Sequence, residues 1–194
     1  LLGWNAGTVS GCHATGPVAA TAGVGGLVGY DAGGTMSDSY ASGSVTGANY
    51  VGGLIGRALG AVSRCYAAGP VLVTVDAAGG LVGRNEGSVN DCYTTGPATE
   101  TGVDGSVGGI VGDNIGTVNR CYATGLVTGN GLWAGGLVGW NGSMVTNSYW
   151  NTNTTSQTTS AGGTGRSTAQ MKQQATYAGW DFSGVWDMAE KSTY

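Results

Sequence analysis

Short apolar runs bounded by glycine recur along this chain at a nearly constant spacing. Gly-Gly pairs begin at positions 25, 52, 79, 108 and 135, so successive pairs are 27, 27, 29 and 27 residues apart. Two apolar residues follow each pair, and a third comes seven or eight positions later. Such runs predict β-strands, and a period of this length predicts stacked units that share one core. Leu1–Gly3 supplies the beginning of a sixth copy.

The aligned copies predict which side chains point into the core. The inward columns are the two apolar residues after Gly-Gly, the Val or Met of the next strand, and the Cys or Ser three positions later. Three steps along a straight strand would place this Val and Cys on opposite faces. We therefore expect a bend between them, at the column Ser10, Ser37, Ser63, Asn90, Asn119 and Thr146. Alternation beyond the bend predicts an outward aromatic column of His13, Tyr40, Tyr66, Tyr93, Tyr122 and Tyr149.

Two polar columns indicate that the copies stack in register. A turn column, interrupted by Ala58, contains Asn5, Asp31, Asn85, Asn114 and Asn141. Asn and Asp favour turns, and stacked asparagines can hydrogen-bond to one another. The residue before the Cys column alternates in charge through Asp38, Arg64, Asp91 and Arg120. Opposite charges one strand separation apart, about 4.8 Å, favour this alignment.

These patterns predict an all-β fold, a right-handed parallel β-solenoid of about six coils over residues 1–150. Nearly all of the length variation falls between Ala-Thr-Gly and the next Gly-Gly, which is the variable side. The first copy lacks its Gly-Gly pair, so we expect an open edge there. Such an edge would be covered by further coils of a longer protein or by another subunit.

Residues 151–194 predict a C-terminal capping segment. A Thr, Ser, Asn and Gly-rich stretch from Asn151 to Gly165 predicts a loop, and Ser167 to Gln170 has the pattern of a helix capping box. Met171, Ala175 and Ala178 would share one face of that helix, which Gly179 would end. The bulky residues beyond it are expected to cover the last coil; they are Trp180, Phe182 and Trp186.

The repeated GGLVG…GTV…CYATG pattern resembles the GLUG repeat of large secreted bacterial surface proteins. These include filamentous-haemagglutinin-like adhesins and the surface regions of some bacterial immunoglobulin proteases. The segment from Ser148 to Trp186 looks like the module that often follows such repeats. The resemblance implies an extracellular solenoid with adhesive or structural work. It brings no catalytic motif, since the HExxH of those proteases is absent from this sequence.

The composition of the chain argues against two classes of partner, nucleic acid and the membrane interior. Only 9% of the residues are charged, the net charge is −4, and there are 7 Lys and Arg in total. These residues cannot form the basic footprint that nucleic acid requires. No apolar run approaches the roughly 20 residues of a transmembrane helix, so a membrane-spanning chain is not expected. The sequence starts inside a repeat without an initiator Met, which suggests a processed product or a piece of a longer chain.

The cysteines follow the coil period and match no zinc-site spacing. Cys65, Cys92 and Cys121 would occupy consecutive coils, close enough for one disulfide, whereas Cys12 lies two coils from Cys65. A buried thiol stack is the favoured interpretation, and a single disulfide remains the alternative. The only histidine, His13, stands in the tyrosine column, where an aromatic surface residue is expected. We expect neither a metal nor another cofactor.

Two surfaces are candidate binding sites. The first is the outward ladder of Tyr40, Tyr66, Tyr93 and Tyr122, which could stack on sugar rings or on a protein partner, although such pairs also stabilise a sheet by themselves. The second is the variable side, with the candidates Tyr50, Asp76, Glu100, Asp104, Asn130 and Trp133. Its three carboxylates could converge, as they do in carbohydrate-active sites.

We therefore expect a non-enzymatic structural or adhesive solenoid that is secreted or exposed at the cell surface. One alternative is a subunit that self-associates head to tail, through its open first coil and its C-terminal cap, into a filament. Another is a glycan-binding or glycan-cleaving β-helix that uses Asp76, Glu100 and Asp104. A surface glycan or protein is the expected partner.

Overall fold

The computed structural model describes residues 1–130 and 133–187, and nearly all of the regular structure there is parallel β-strand. The first coil contains β1 (Leu2–Asn5), β2 (Thr8–Ser10), β3 (His13–Ala14), β4 (Val18–Ala19) and β5 (Ala22–Gly25). The second contains β6 (Val28–Asp31), β7 (Thr35–Ser37), β8 (Tyr40–Ala41), β9 (Val45–Gly47) and β10 (Asn49–Gly52). The third contains β11 (Ile55–Ala58), β12 (Ala61–Ser63), β13 (Tyr66–Ala67), β14 (Val71–Val73) and β15 (Ala77–Gly79).

The remaining coils follow the same order. The fourth contains β16 (Val82–Asn85), β17 (Ser88–Asn90), β18 (Tyr93–Thr94), β19 (Ala98–Glu100) and β20 (Ser106–Gly108). The fifth contains β21 (Val111–Asn114), β22 (Thr117–Asn119), β23 (Tyr122–Ala123), β24 (Val127–Thr128) and β25 (Trp133–Gly135). The incomplete sixth contains β26 (Val138–Asn141), β27 (Val145–Thr146) and β28 (Tyr149–Asn151). After it come β29 (Thr164–Arg166), helix α1 (Thr168–Met171) and a 3-10 turn, Gln174–Thr176.

Each strand pairs with its equivalent in the next coil, which confirms the β-solenoid. The first sheet contains β1, β6, β11, β16, β21 and β26, and the fifth contains β5, β10, β15, β20 and β25. The tyrosine column lies in the third sheet, where Tyr40, Tyr66 and Tyr93 are direct partners. The strands make about five complete turns and a partial sixth.

The core has two parts. The larger encloses the predicted inward columns, with Leu54, Val62 and Cys65 as the third coil's members. The smaller lies between the fourth sheet, which contains β4, β9, β14, β19 and β24, and the fifth sheet. It is built mainly of valines, such as Val45 and Val107. Alternation along short strands buries one face of each sheet. From the second coil onward the inward columns agree with the sequence pattern, whereas Leu1, Leu2 and Cys12 of the first coil are exposed. The second core adds burial on the variable side.

The bend between the Val and Cys columns lies one residue later than expected. Asp38, Arg64, Asp91 and Arg120 have positive φ angles of 52°, 51°, 54° and 51°. The preceding Ser or Asn instead ends the strand in the extended conformation, as Ser63 ends β12. One left-handed residue after an extended strand turns the chain sharply, so that the following Cys again points inward. The Asp–Arg column therefore forms the corner of the coil.

The last glycine of each Gly-Gly-Leu-Val-Gly run lets the first and fifth sheets approach closely. A Cβ added to Gly83 would lie 2.5 Å from the carbonyl carbon of Tyr50, and one on Gly139 would lie 2.7 Å from the nitrogen of Val107. Both distances are well below a van der Waals contact. Any side chain here would therefore push the two sheets apart.

The C-terminal end differs from the sequence expectation in what covers the last coil. Trp150 is buried there and its Nε1–H donates to the Gln157 carbonyl at 3.0 Å, while the Ser160 hydroxyl accepts from the Val138 N–H at 2.9 Å. This cover is the segment that was expected to be a plain loop, and its end forms β29 beside Tyr149. The later aromatic segment lies elsewhere, against the third sheet.

The predicted helix begins where expected and ends early. Ser167 and Gln170 form the capping box, and Met171 is buried. However, α1 ends at Met171, so the predicted continuation is wrong: Ala175 and Ala178 are exposed. Their place in the packing is taken by Tyr177 and Trp180, which bury far more apolar area. With four residues, α1 is the longest α-helix in the described ranges, and none there could cross a membrane.

Candidate functional site

The tyrosine ladder is a continuous stack of parallel rings. Ring centroids are 5.2 Å apart between His13 and Tyr40, and 4.7, 4.9 and 5.2 Å apart along Tyr40, Tyr66, Tyr93 and Tyr122. The rings lie within 10° of parallel. Their spacing follows from the strand separation, because each ring leaves the same position of the same sheet.

The C-terminal aromatic segment covers part of this ladder. Trp186 lies 5.7 Å from Tyr122 and 6.3 Å from Tyr93, centroid to centroid, and packs on Trp180 at 4.4 Å with the rings tilted by 36°. The Trp180 indole also donates to the Asn147 carbonyl at 2.8 Å. Burial raises the pKa of the Tyr93 phenol. Over this half, the ladder serves as the packing surface for the segment, and Tyr40 and Tyr66 form the half nearer the first coil.

A second surface runs between the first and fifth sheets, where the glycine column brings them together. The first sheet contributes the residue after each Gly-Gly-Leu-Val-Gly run, and these residues are direct strand partners: Trp4, Tyr30, Arg57, Arg84, Asp113 and Trp140. At the fourth to sixth coils this column meets residues of the variable side. Together they line a cleft of about 320 Å³, formed by Asp76, Arg84, Asp104, Ser106, Asp113, Ile115, Trp133 and Trp140.

Arg84 is held in place by three neighbours, Glu86, Asp113 and Tyr50. Its Nε is 2.9 Å from the Glu86 carboxylate, which Arg57 also contacts at 2.6 Å. Its Nη1 is 3.8 Å from the Asp113 carboxylate, and its guanidinium lies 5.4 Å from the centre of the Tyr50 ring. The hydrogen bond from Arg57, together with the one from Arg84, lowers the pKa of Glu86. The guanidinium is therefore oriented before any ligand arrives.

Asp113 lies at the buried side of the cleft. Its carboxylate accepts a hydrogen bond from the Ser106 hydroxyl, and its side chain is 18% exposed. Burial raises the pKa of Asp113, and the nearby Asp76 charge adds to this effect, while Ser106 and Arg84 oppose it. Burial and Asp76 also raise the pKa of the Tyr50 phenol. Asp76 and Asp113 thus belong to one electrostatic environment.

The three acids named from the sequence do not meet in one place. Asp76 and Asp104 line the cleft with Trp133. The Tyr50 ring contacts the guanidinium of Arg84, which also lines the cleft. Glu100 is 1% exposed and occupies the inward position that Val73 holds in the coil below. Its carboxylate accepts from the Asn130 N–H at 3.1 Å. Strand alternation places this carboxylate inside, because burial alternates along β19 and Glu100 is in register with Val73.

Sequence reasoning missed five residues of the cleft, Arg84, Ser106, Asp113, Trp140 and Ile115. The first, third and fourth of these belong to the column that follows Gly-Gly-Leu-Val-Gly. A signal for them existed, because this column holds a large aromatic or charged residue in every copy of a repeat otherwise rich in small residues. Ser106 and Ile115 carry no comparable signal.

The cysteine column is a stack of thiols. All four cysteines are free, and Cys65, Cys92 and Cys121 are buried. The Cys65 N–H donates to the Cys92 sulfur at 3.4 Å, and the Cys92 thiol donates to the Asn90 carbonyl at 3.0 Å. Burial raises the pKa of Cys92. No group of His, Cys, Asp and Glu side chains within residues 1–130 and 133–187 is arranged to hold a metal ion.

Comparison with known proteins identifies the repeating unit. Residues 47–73 match the GLUG motif. The matched span runs from the end of β9 to the end of β14, which is one turn of the solenoid. The GLUG motif therefore describes a coil, and it includes Tyr50, Arg57 and Tyr66 of the two candidate surfaces. No curated protein and no solved structure matches the chain.

Proposed function

We propose that this chain is a non-enzymatic structural and adhesive β-solenoid, acting as a stalk or surface element of a secreted bacterial protein. The supporting observation is the set of side-chain ladders that join each GLUG-type coil to the next. They comprise stacked tyrosines, paired Asp and Arg residues such as Asp38 with Arg64, and the amide chain from Asn85 to Asn141. Bending or sliding one coil on another would break several of these contacts together, so the array is suited to a rigid spacer.

Surface exposure on the source bacterium is the direct test. An antibody raised against the purified chain is applied to intact cells and to permeabilised cells. We expect equal labelling of both, with loss of the signal after brief protease treatment of intact cells. Labelling that requires permeabilisation would contradict the extracellular role. The non-enzymatic part is tested separately: incubation with a panel of polysaccharides should release no reducing ends.

Self-association is the second candidate, supported by apolar side chains exposed on the first coil. Leu1 and Leu2 are exposed, and with Val18 and Val24 they line an apolar depression. Because Trp150 and its segment cover the other end, head-to-tail contact would join this depression to that cover. Light scattering across a concentration series, with electron microscopy, tests the idea. Uniform monomers throughout would refute it.

A further inference from the structure

We infer that the cleft between the first and fifth sheets binds a neutral oligosaccharide. The inference names a ligand class for the adhesive part of the proposed function and rests on it. Its test uses the purified chain, so a negative result there leaves the surface location of the protein to be judged on its own. The argument has three parts: two exposed indoles, a polar floor with both donors and acceptors, and the charge of the cleft.

Trp133 and Trp140 provide an aromatic surface. They are 46% and 37% exposed and line the same cleft from strands β25 and β26. Within the described ranges neither indole stacks on another ring, whereas Trp4, in the same column as Trp140, packs on Tyr30 at 4.6 Å. An exposed indole is costly in water and favourable against an apolar partner. The C–H faces of a pyranose ring offer such a partner while its hydroxyls remain free to bond.

The floor of the cleft matches the hydroxyl groups of a sugar. A hydroxyl donates one hydrogen bond and accepts others, so it needs acceptors and donors close together. Asp76, Asp104 and Asp113 supply acceptor oxygens, and Arg84 supplies N–H donors. Arg84 and Asp113 are already held by Glu86 and Ser106 respectively. Groups fixed in advance lose little conformational freedom when a ligand binds.

The charged groups of the cleft favour a neutral ligand over an acidic or a cationic one. Three carboxylates face one guanidinium, so an acidic saccharide would be repelled. A simple organic cation would be attracted by the excess carboxylates, but it offers no acceptor to the N–H donors of Arg84, which lies 3.8 Å from Asp113. A neutral ligand with many hydroxyls avoids both penalties. Glycan binding therefore fits the mixed donors and acceptors better than an acidic or cationic ligand does.

The experiment follows the indole N–H signals in nitrogen-15 NMR spectra of the full chain. The signals of Trp133 and Trp140 are assigned by their loss in the variants Trp133→Ala and Trp140→Ala. The probes are cellotetraose, chitotetraose, mannotetraose and maltotetraose, with tetragalacturonate and choline as charged comparisons. We expect at least one neutral tetrasaccharide to shift both signals, and neither charged probe to do so.

Variants then locate the site. We expect Trp140→Ala to weaken binding at least about tenfold and Asp113→Asn to weaken it severalfold, since both residues touch the cleft. Trp4→Ala is the matched control: it removes an exposed indole from the same column, outside the cleft, and should leave the affinity within about twofold. Circular dichroism and the remaining indole signals verify that each variant is folded.

Four results would overturn the inference. They are no shift with any neutral tetrasaccharide, shifts confined to choline, tetragalacturonate binding as tight as the best neutral probe, and equal affinity of the parent chain and a folded Trp140→Ala variant. If Trp4→Ala weakened binding as much as Trp140→Ala, the ligand would lie elsewhere on the solenoid, and the assignment to this cleft would be wrong.

Discussion

Replacing Asn114 by Ala tests whether the amide chain along the turn column stabilises the stack. Asn114 is fully buried; its Oδ1 accepts from Asn85 Nδ2 at 2.8 Å, and its Nδ2 donates to Asn141 Oδ1 at 2.7 Å. Alanine removes both bonds. Asn85 still donates to the Thr117 carbonyl at 3.2 Å, and Asn141 still accepts from the Ser143 N–H at 3.3 Å. Each partner therefore retains a hydrogen bond.

The cost follows from these contacts. Two hydrogen bonds at about 0.5–1.5 kcal/mol each, plus a small cavity, predict a loss of about 2–4 kcal/mol in the free energy of unfolding. Ala58 already occupies the same column and is fully buried, which shows that alanine fits this position sterically. The loss should therefore reflect the missing bonds rather than backbone strain. We expect it to be local to the fifth coil and its neighbours.

The assay combines urea unfolding followed by circular dichroism with native-state hydrogen exchange of the amides in β16, β21 and β26. Exchange is needed because a repeat array can open coil by coil, and each amide then reports its own opening free energy. Asn119→Ala is the control, because the two bonds that its Oδ1 accepts from Thr146 and Asn147 in the next coil are both exposed. It should cost about 1 kcal/mol. A loss below about 0.5 kcal/mol for Asn114→Ala, or one no larger than in the control, would refute the reasoning.

Three further outcomes are expected. Gly83→Ala should cost more than about 3 kcal/mol in urea unfolding, because its Cβ would meet Tyr50 backbone at 2.5 Å; near-parental stability would show that the sheets can separate cheaply. Cys92→Ser should cost at most about 1 kcal/mol, since Ser39 and Ser148 hold the equivalent position with similar hydrogen bonds; a large loss would mean that sulfur packing matters more. Glu86→Gln should cost roughly 0–1 kcal/mol at neutral pH, because its partners are partly exposed. The pKa of Glu86 is lowered on folding, so this difference should be present above about pH 4.3 and vanish as pH falls through the lower folded value; a constant difference between pH 3 and 7 would contradict it.

The stacking direction of this fold could be predicted from the sequence alone. Each coil pairs with an equivalent coil, so like residues lie one strand apart and the aligned columns become ladders. Tyr66 on Tyr93, Asn85 on Asn114 and Asp38 beside Arg64 all follow from this rule. The capping box at Ser167 could also be predicted from the sequence, because it depends on two residues three positions apart.

The packing of different sheets against one another within a coil could be determined only from the tertiary structure. The corner at Asp38 and its equivalents, the hydrogen bond from the Asn130 N–H to the buried Glu100, and the path of Trp186 along the tyrosine ladder depend on angles between sheets that no repeat period encodes. The cleft is the clearest case, because Trp133 and Trp140 belong to different sheets and share it only where Gly139 lets those sheets approach. The sequence determined the ladders because they repeat a local register at every coil. The cleft was decided by packing between strands of different sheets, where the space left by a missing Cβ sets the geometry.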